Sequence, residues 1–159
     1  MKKIKLKGKK GKGKYALVDN KDFDFLNQWK WHMSDSGGVV RTIGSVKNKN
    51  RKNVWMHRLI LNPSSNMQVD HVNHNRLDNR RKNLRACTQS ENNQNKGAKI
   101  NNTSGYKGVS KHKGWNKWVA EIMARGIRIR VGGFNTPIEA FRVYCKLAKK
   151  HHGRFAKTK

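Results

Sequence analysis

The sequence predicts an α+β protein built from two small domains. In each half of the chain, short stretches rich in apolar residues indicate β-strands, and a helix-start signal follows the last strand. Between the halves, at residues 92–99 and 101–105, apolar residues become rare and turn formers accumulate. We therefore expect a basic flexible tail at 1–14, a first domain at 15–96, a linker at 97–103 and a second domain at 104–159.

The net charge indicates nucleic acid as the partner. The chain has 37 Lys and Arg residues against 9 Asp and Glu, a formal charge of +28 on 159 residues. Such an excess repels itself unless an anion neutralises it, and nucleic acid releases counterions when it does so. Because there is neither a long apolar run nor a signal-peptide core, we expect no membrane contact and a cytoplasmic, not secreted, protein.

The two cysteines do not indicate a cross-linked or zinc-binding protein. Cys87 and Cys145 lie far apart, and neither belongs to a Cys-x-x-Cys pair. We therefore expect buried thiols, with neither a disulfide framework nor a structural zinc.

The first fourteen residues contain eight lysines, three glycines and no acid. This composition is typical of a disordered, solubilising arm. Contact with phosphate is the functional alternative, and the sequence does not separate the two.

Four strands are predicted in the next segment: Tyr15–Val18, Trp29–Trp31, Val39–Ile43 and Val54–Leu61. Alternation places Trp29 and Trp31 on one face, where we expect core residues. His57 lies in the most apolar of these strands. We expect it to be a hydrogen-bonded core group or a support for a metal site, with direct contact to metal or phosphate as the alternative.

The segment from Met67 to Asn95 carries the candidate chemistry. The pattern predicts a strand at Gln68–His71, a polar loop, a returning strand at Asn83–Thr88 and a helix that begins near Gln89, where Thr88 and Glu91 form a capping box. Neighbouring side chains on a strand point to opposite faces. Asp70 can therefore bind a metal while His71 faces the attacking water.

These residue types suit metal-dependent phosphodiester hydrolysis. A hard cation such as Mg²⁺ takes oxygen ligands and keeps several waters, and Asp70 and Asn92 supply two such ligands. Neutral histidine titrates near pH ~6.5, so His71 is the candidate general base. Asn83 would orient the His71 ring or pin the loop. Asp-His pairs also arise by chance, so spacing alone leaves the site open.

Several motifs resemble HNH endonucleases of the phage and mobile-intron type, with their ββα-metal fold. The matching stretches are Met56–Ile60, Val69–His71, Leu77–Arg85 and Glu91–Asn92. The resemblance implies that Asp70 and Asn92 bind the metal, that His71 is the general base and that Asn83 holds the loop. Asparagine stands at Asn92 where many members have histidine, and this branch uses both.

The second domain is predicted as a three-stranded antiparallel sheet packed on one helix. The strands are expected at Tyr106–Val109, Lys117–Ile122 and Ile127–Val131. The helix start is marked by Thr136 as N-cap, Pro137 in the first turn and Glu139 completing a capping box.

One face of this sheet is basic and aromatic, and it would fit a DNA major groove. A solvated charged face is the alternative. The face is expected to contain Trp115, Lys117, Arg125, Arg128 and Arg130.

The stretch from Ser104 to Ile122, with Gly132–Phe134 and Gly153–Ala156, resembles the APETALA-type DNA-binding domain of plant ethylene-response factors. This resemblance implies DNA contacts by Lys107, Trp115, Glu121, Arg128 and Arg130. Ser110 and Met123 stand where plant members usually have arginine, and Arg130 replaces a tryptophan. The plant target site therefore does not transfer.

Together these features predict a phage- or mobile-element-type HNH homing endonuclease that hydrolyses duplex DNA with Mg²⁺, or with Mn²⁺ as the second candidate. The alternative is a sequence-specific DNA-binding protein with an inactive nuclease core. An RNA-binding protein is a third hypothesis, because a lysine-rich surface does not choose between the two polymers.

Overall fold

The chain is α+β and divides into two compact units, Met1–Gln89 and Ser90–Lys159. The computed structural model describes residues 1–45 and 49–158, so residues 46–48 of the predicted first domain and residue 159 of the second lie outside it. No helix in the described ranges is long and apolar enough to span a membrane. The predicted linker at 97–103 falls within the second unit.

In its described residues, the first unit contains three small antiparallel sheets and two α-helices. Its elements are β1 (Lys2–Lys5), β2 (Tyr15–Val18), α1 (Asn20–Asn27), β3 (His32–Met33), β4 (Val39–Ile43), β5 (Lys52–Trp55), α2 (Met56–Leu61), β6 (Gln68–His71) and β7 (Leu84–Cys87). The sheets are β1-β2, β3-β4-β5 and β6-β7. Helix α3 (Gln89–Asn95) begins at the boundary and continues into the second unit.

The first fourteen residues differ from the flexible tail that their composition predicts. β1 pairs with β2, and the Leu6 N–H donates to the Lys14 carbonyl at 3.0 Å. Ile4 and Leu6 are each 2% exposed, whereas the lysines around them face outward. Gly11 packs so closely on Leu6 that a Cβ would lie 2.8 Å from the Leu6 Cβ. Buried apolar residues alternate with exposed lysines here, as in a β-strand, but the composition is dominated by lysine and therefore predicted disorder.

Two other predicted strands are also different in the structure. Trp29–Trp31 is not a strand; the Trp31 ring is fully buried and its Nε1 donates to the Leu26 carbonyl at 2.8 Å. The predicted strand Val54–Leu61 is instead the end of β5 followed by α2. An apolar run of this length suits a buried strand or a buried helix equally, so periodicity did not decide it.

In its described residues, the second unit has the predicted three-stranded antiparallel sheet packed on one helix, but the first strand lies at Val109–Lys111 and not at the predicted Tyr106–Val109. Its strands β8 (Val109–Lys111), β9 (Trp118–Ala124) and β10 (Ile127–Phe134) have the order β10-β9-β8, and α4 (Pro137–His152) covers one face. The Thr136 hydroxyl accepts from the Glu139 N–H at 3.3 Å, and the Glu139 carboxylate accepts from the Asn135 N–H at 3.1 Å. This is the capping box that the sequence predicted.

The ordered N-terminal segment gives a first prediction. Leu6→Ala removes a buried side chain and leaves a cavity, so the free energy of unfolding of the first unit should fall by about 2–5 kcal/mol. The measurement is urea denaturation followed by tryptophan fluorescence. The exposed neighbour Lys5→Ala is the control and should shift stability by no more than about 0.5 kcal/mol. Equal midpoints for Leu6→Ala and the wild type would show that this segment does not pack.

Candidate functional site

The β6–β7 hairpin positions the first pair of candidate residues. In its register, Asp70 lies opposite Arg85 and His71 lies opposite Leu84. Asp70 and His71 are 7% and 8% exposed, and strand alternation sends their side chains to opposite faces. The hairpin thus holds a carboxylate and an imidazole, each in a low-dielectric setting.

The Asp70 carboxylate forms a buried ion pair that the sequence did not predict. Its Oδ2 accepts from Arg85 Nε at 2.8 Å and from Arg85 Nη2 at 2.7 Å. The two side chains are 9% and 12% exposed, so both charges are largely removed from water. The signal in the sequence was the hairpin itself, because its register places Arg85 across from Asp70. Any cation bound by Asp70 must share this carboxylate with Arg85 or displace it.

The His71 ring packs against a second imidazole. The His57 and His71 ring centroids are 5.3 Å apart, with planes 80° from parallel. His71 Nε2 and His57 Nδ1 are buried and have no hydrogen-bond partner within the described part of the chain. His57 lies in the first turn of α2, not in a strand as predicted. Two imidazole nitrogens are therefore buried in this region without a partner among the described residues.

Burial keeps both imidazoles neutral. Desolvation, with smaller contributions from His71, Arg58 and Arg76, lowers the pKa of His57 to about 4. Desolvation is also the main effect on His71 and lowers its pKa, although the nearby Asn79 side chain and Asp70 act in the opposite direction. Asn79 raises the pKa from close by, yet its amide oxygen has no hydrogen-bond partner of good geometry. A neutral ring at pH 7 is the form that accepts a proton.

The loop between β6 and β7 is fixed by amide and carboxylate side chains. Asn83 Nδ2 donates to the Asp78 carbonyl at 2.7 Å, and Asn83 Oδ1 accepts from the Asn73 N–H at 3.0 Å. The Asp78 carboxylate accepts from Arg80 Nε at 2.7 Å and Nη2 at 2.6 Å, and this pairing lowers its pKa. Of the two roles expected for Asn83, these contacts correspond to pinning the loop. Asp78 and Asn79, 1% and 0% exposed, were not singled out from the sequence.

The fixed loop is also attached to the start of the unit. The Leu17 N–H donates to the Leu77 carbonyl at 2.8 Å, and the Asn79 N–H donates to the Leu17 carbonyl at 2.8 Å. The Arg81 guanidinium pairs with both carboxylate oxygens of Asp22. β2 and α1 therefore support the loop that follows His71.

The candidate metal ligands fit a hard cation held by few protein groups. Within residues 1–45 and 49–158, no group of three or more His, Cys, Asp and Glu side chains forms a metal cluster. A carboxylate from Asp70 and an amide oxygen from Asn92 are the donors that Mg²⁺ accepts while it keeps several waters. Asn92 is half-buried on α3, in the part of that helix that belongs to the second unit.

The face of the second unit opposite α4 carries the candidate DNA contacts. Arg128 and Arg130 lie 3.6 Å and 4.0 Å from the Glu121 carboxylate, and both arginine side chains are largely exposed. Trp115, 66% exposed, stacks on His112 in the β8–β9 turn with 4.6 Å between ring centroids. This face therefore presents two cations held around one acid, with an indole at its edge.

Three other residues were predicted to contact DNA, and they lie outside the group formed by Arg128, Arg130 and Glu121. Arg125 lies in the β9–β10 turn at a positive φ of 52°, and Lys117 donates to the Asn135 side chain. Lys107 is turned towards backbone carbonyls near the end of α3 and is half-buried.

Two family models match separate parts of the chain. The model described as HNH endonuclease matches residues 62–94, a range that includes Asp70, His71, Asn83 and Asn92. The model described as AP2 domain matches residues 104–154, which include all the candidate DNA contacts. The resemblances to HNH endonucleases and to the APETALA-type (AP2) domain, both inferred from the sequence, are confirmed.

The chain is also similar to one viral protein and to two plant proteins. An uncharacterized HNH endonuclease of Acanthamoeba polyphaga mimivirus is 29% identical over 150 residues, which cover 92% of this chain and 75% of that protein. The dehydration-responsive element-binding protein 2A of Oryza sativa, from both the indica and japonica subspecies, is 38% identical over 65 residues. That match covers 40% of this chain and 23% of each plant protein. No solved structure gives a significant match.

The buried ion pair gives a second prediction. Arg85→Met takes the guanidinium from a buried carboxylate, so the free energy of unfolding should fall by about 3–5 kcal/mol. In the Asp70→Asn background, Arg85→Met should lower the free energy of unfolding by about 0.5–3 kcal/mol less than it does in the wild type. The reason is that no buried carboxylate charge remains to lose its partner. Urea denaturation of the two single variants and the double variant measures this difference. Asp24→Asn, which alters an exposed pair with Lys2, is the control. Strictly additive losses would show that the pair is not coupled.

Proposed function

We propose that this chain, which joins an HNH endonuclease segment to an AP2 domain, is a metal-dependent endonuclease of the homing type that hydrolyses phosphodiester bonds in duplex DNA. The observation that carries the proposal is His71: a buried, neutral imidazole next to Asp70 and inside the HNH match, whose Nε2 has no hydrogen-bond partner among the described residues. The order β6, loop, β7, α3 is the order of the ββα-metal fold that the HNH family implies.

His71 is the general base in this proposal. Its neutral ring takes a proton from a water molecule, and the resulting hydroxide attacks the phosphorus while the bond to the 3′ oxygen breaks. Because burial lowers the pKa of His71, the ring is neutral at pH 7 and can accept a proton directly. His57, edge-on against this ring, holds it in orientation.

Asp70 and Asn92 would hold the divalent cation, with Mg²⁺ as the best fit to two oxygen donors and Mn²⁺ as the second candidate. When bound, the cation stabilises negative charge on the phosphate and on the leaving oxygen. The HNH match, which includes both residues, supports this assignment. Asn83 keeps the loop after His71 closed, through its bonds to Asn73 and Asp78.

The second unit binds the duplex through its exposed sheet face. A narrow sheet fits the major groove, where arginine reads guanine through two hydrogen bonds. Trp115, Lys117, Arg125, Arg128 and Arg130 supply the cationic and aromatic contacts, and Glu121 keeps Arg128 and Arg130 in place. The departures at Ser110, Met123 and Arg130 imply a target site different from that of the plant proteins.

The buried Asp70–Arg85 pair favours one alternative function, a sequence-specific DNA-binding protein whose nuclease core is inactive. In that case Arg85 permanently occupies the carboxylate that a metal would need. Supercoiled plasmid separates the two functions, because an active enzyme nicks or linearises it with Mg²⁺ and stops on addition of EDTA. Specific binding without any nicking would establish the alternative.

A third prediction tests the base. His71→Ala should slow plasmid cleavage at saturating Mg²⁺ by about 10²–10⁴-fold, because no other group takes the proton from water as efficiently. Affinity for duplex DNA, measured by fluorescence anisotropy in EDTA, should stay at the wild-type level. His151→Ala removes an exposed imidazole on α4 and should cut normally. A His71→Ala variant that cuts at the wild-type rate would remove His71 from this role.

A fourth prediction tests the sheet face. Arg128→Ala should weaken binding of the cognate site by about 1–3 kcal/mol if the guanidinium contacts a base. If it contacts phosphate, the slope of log K against log salt should instead fall by about 0.9. The matched control is Arg142→Ala, which removes an exposed arginine from α4 on the covered side of the sheet. Equal affinities and slopes for both variants would show that the sheet face does not hold DNA.

A further inference from the structure

Helix α3 is short, and its last turn contains no cationic side chain of its own. It has seven residues, Gln89–Asn95. Isolated helices shorter than about 12 residues are marginal in water, and the last carbonyls of a helix need donors from elsewhere. A cation near these carbonyls is also favoured by the helix dipole. A donor from outside α3 can therefore stabilise its C-terminal turn.

The Lys107 ammonium group supplies these donors. Its Nζ lies 2.5 Å from the Gln94 carbonyl, 2.6 Å from the Lys96 carbonyl and 3.5 Å from the Asn93 carbonyl. A lysine has three N–H donors, and here three backbone oxygens face them. The same group cannot also make a full set of hydrogen bonds to a DNA phosphate.

The position of Lys107 carries a desolvation cost that these contacts offset. Burial, with a smaller effect from Lys157, lowers the pKa of Lys107 to about 8. An ammonium group that loses its hydration needs close acceptors in exchange, and charge-assisted hydrogen bonds are the strong kind. The half-buried lysine is thus committed to the end of α3.

The backbone that carries Lys107 is itself rigidly attached to the second unit. Gly108 has a φ of +67°, and a Cβ there would lie 2.2 Å from the Tyr144 ring of α4. Its carbonyl accepts from the Glu121 N–H of β9 at 2.7 Å. The Tyr106 carbonyl accepts from Asn102 Nδ2 at 3.0 Å and from the Val109 N–H at 3.3 Å. Lys107 therefore projects from a segment held by both the sheet and its covering helix.

We infer that Lys107 is a positioning residue that fixes the last turn of α3 to the AP2 domain and thereby sets the position of Asn92. This assigns Lys107 a role different from the DNA contact that the plant resemblance implies. The inference rests on the proposed function in so far as Asn92 is a metal ligand.

The test compares three forms of the full chain: the wild type, Lys107→Met and Lys107→Arg. Methionine keeps roughly the length of the lysine side chain and removes its N–H donors. In Lys107→Met, backbone hydrogen exchange of a peptide covering residues 89–96 should be about tenfold faster, a ratio that corresponds to about 1.4 kcal/mol. Binding of Mn²⁺ alone, followed by electron paramagnetic resonance, should weaken several-fold. Lys107→Arg should restore both properties at least in part, because its guanidinium can also donate to carbonyls.

Activity and DNA binding separate positioning from phosphate contact. Lys107→Met should raise the Mg²⁺ concentration for half-maximal cleavage and leave the KM for DNA and the salt dependence of binding unchanged. Lys117→Met removes an ammonium that donates to the Asn135 side chain, so it should leave α3 exchange unchanged.

Two results would overturn the inference: unchanged exchange of α3 in Lys107→Met, or a salt slope lower by about 0.9 with unchanged Mn²⁺ binding. If the wild type cuts no DNA, the proposed function fails, whereas hydrogen exchange and Mn²⁺ binding still decide the role of Lys107.

Discussion

Three buried carboxylates organise the first unit, and an arginine is paired with each of them. The pairs are Asp22 with Arg81, Asp70 with Arg85, and Asp78 with Arg80. In a chain with 37 Lys and Arg residues and 9 Asp and Glu, cations far outnumber acids, and the planar fork of arginine matches the two oxygens of a carboxylate. Removing a charge from water is costly unless it is paired and hydrogen-bonded. These pairs therefore fix the polar loop that follows β6.

The fixed loop determines the chemistry that His71 can perform. A general base needs a neutral ring and a nitrogen open to water, and both depend on what surrounds the ring. Here α2 supplies His57 on one side, and the loop supplies Asn79, which is fully buried. The surroundings lower the pKa of His71, and its Nε2, although buried, has no hydrogen-bond partner within the described part of the chain. If the loop were irregular, as its composition suggests, the His71 ring would not have these fixed surroundings.

The sequence was informative wherever a local pattern decided the structure. The strands Tyr15–Val18, Val39–Ile43 and Gln68–His71, and the start of α3 at Gln89, lie where the pattern predicts them. The ordered N-terminal segment was missed because eight lysines outweighed two inward residues, Ile4 and Leu6. The pairing of Asp70 with Arg85 follows from a hairpin register and the placement of Lys107 from tertiary packing, so neither is encoded in local periodicity.

Glu121 places an acid within the sheet face for which we propose DNA binding. It lies between Arg128 and Arg130 on the exposed sheet face, where ion pairs contribute only about 0–1 kcal/mol to stability. Its value to the fold is therefore small, and a negative charge opposes attraction to phosphate. What it does provide is a fixed orientation for two long, flexible side chains, which lowers the entropy lost when they bind. On a surface with a large excess of cations, affinity is easily obtained, and selectivity depends on where each guanidinium points. In the proposed function, Glu121 would accordingly favour recognition of particular bases over non-specific attraction to the duplex.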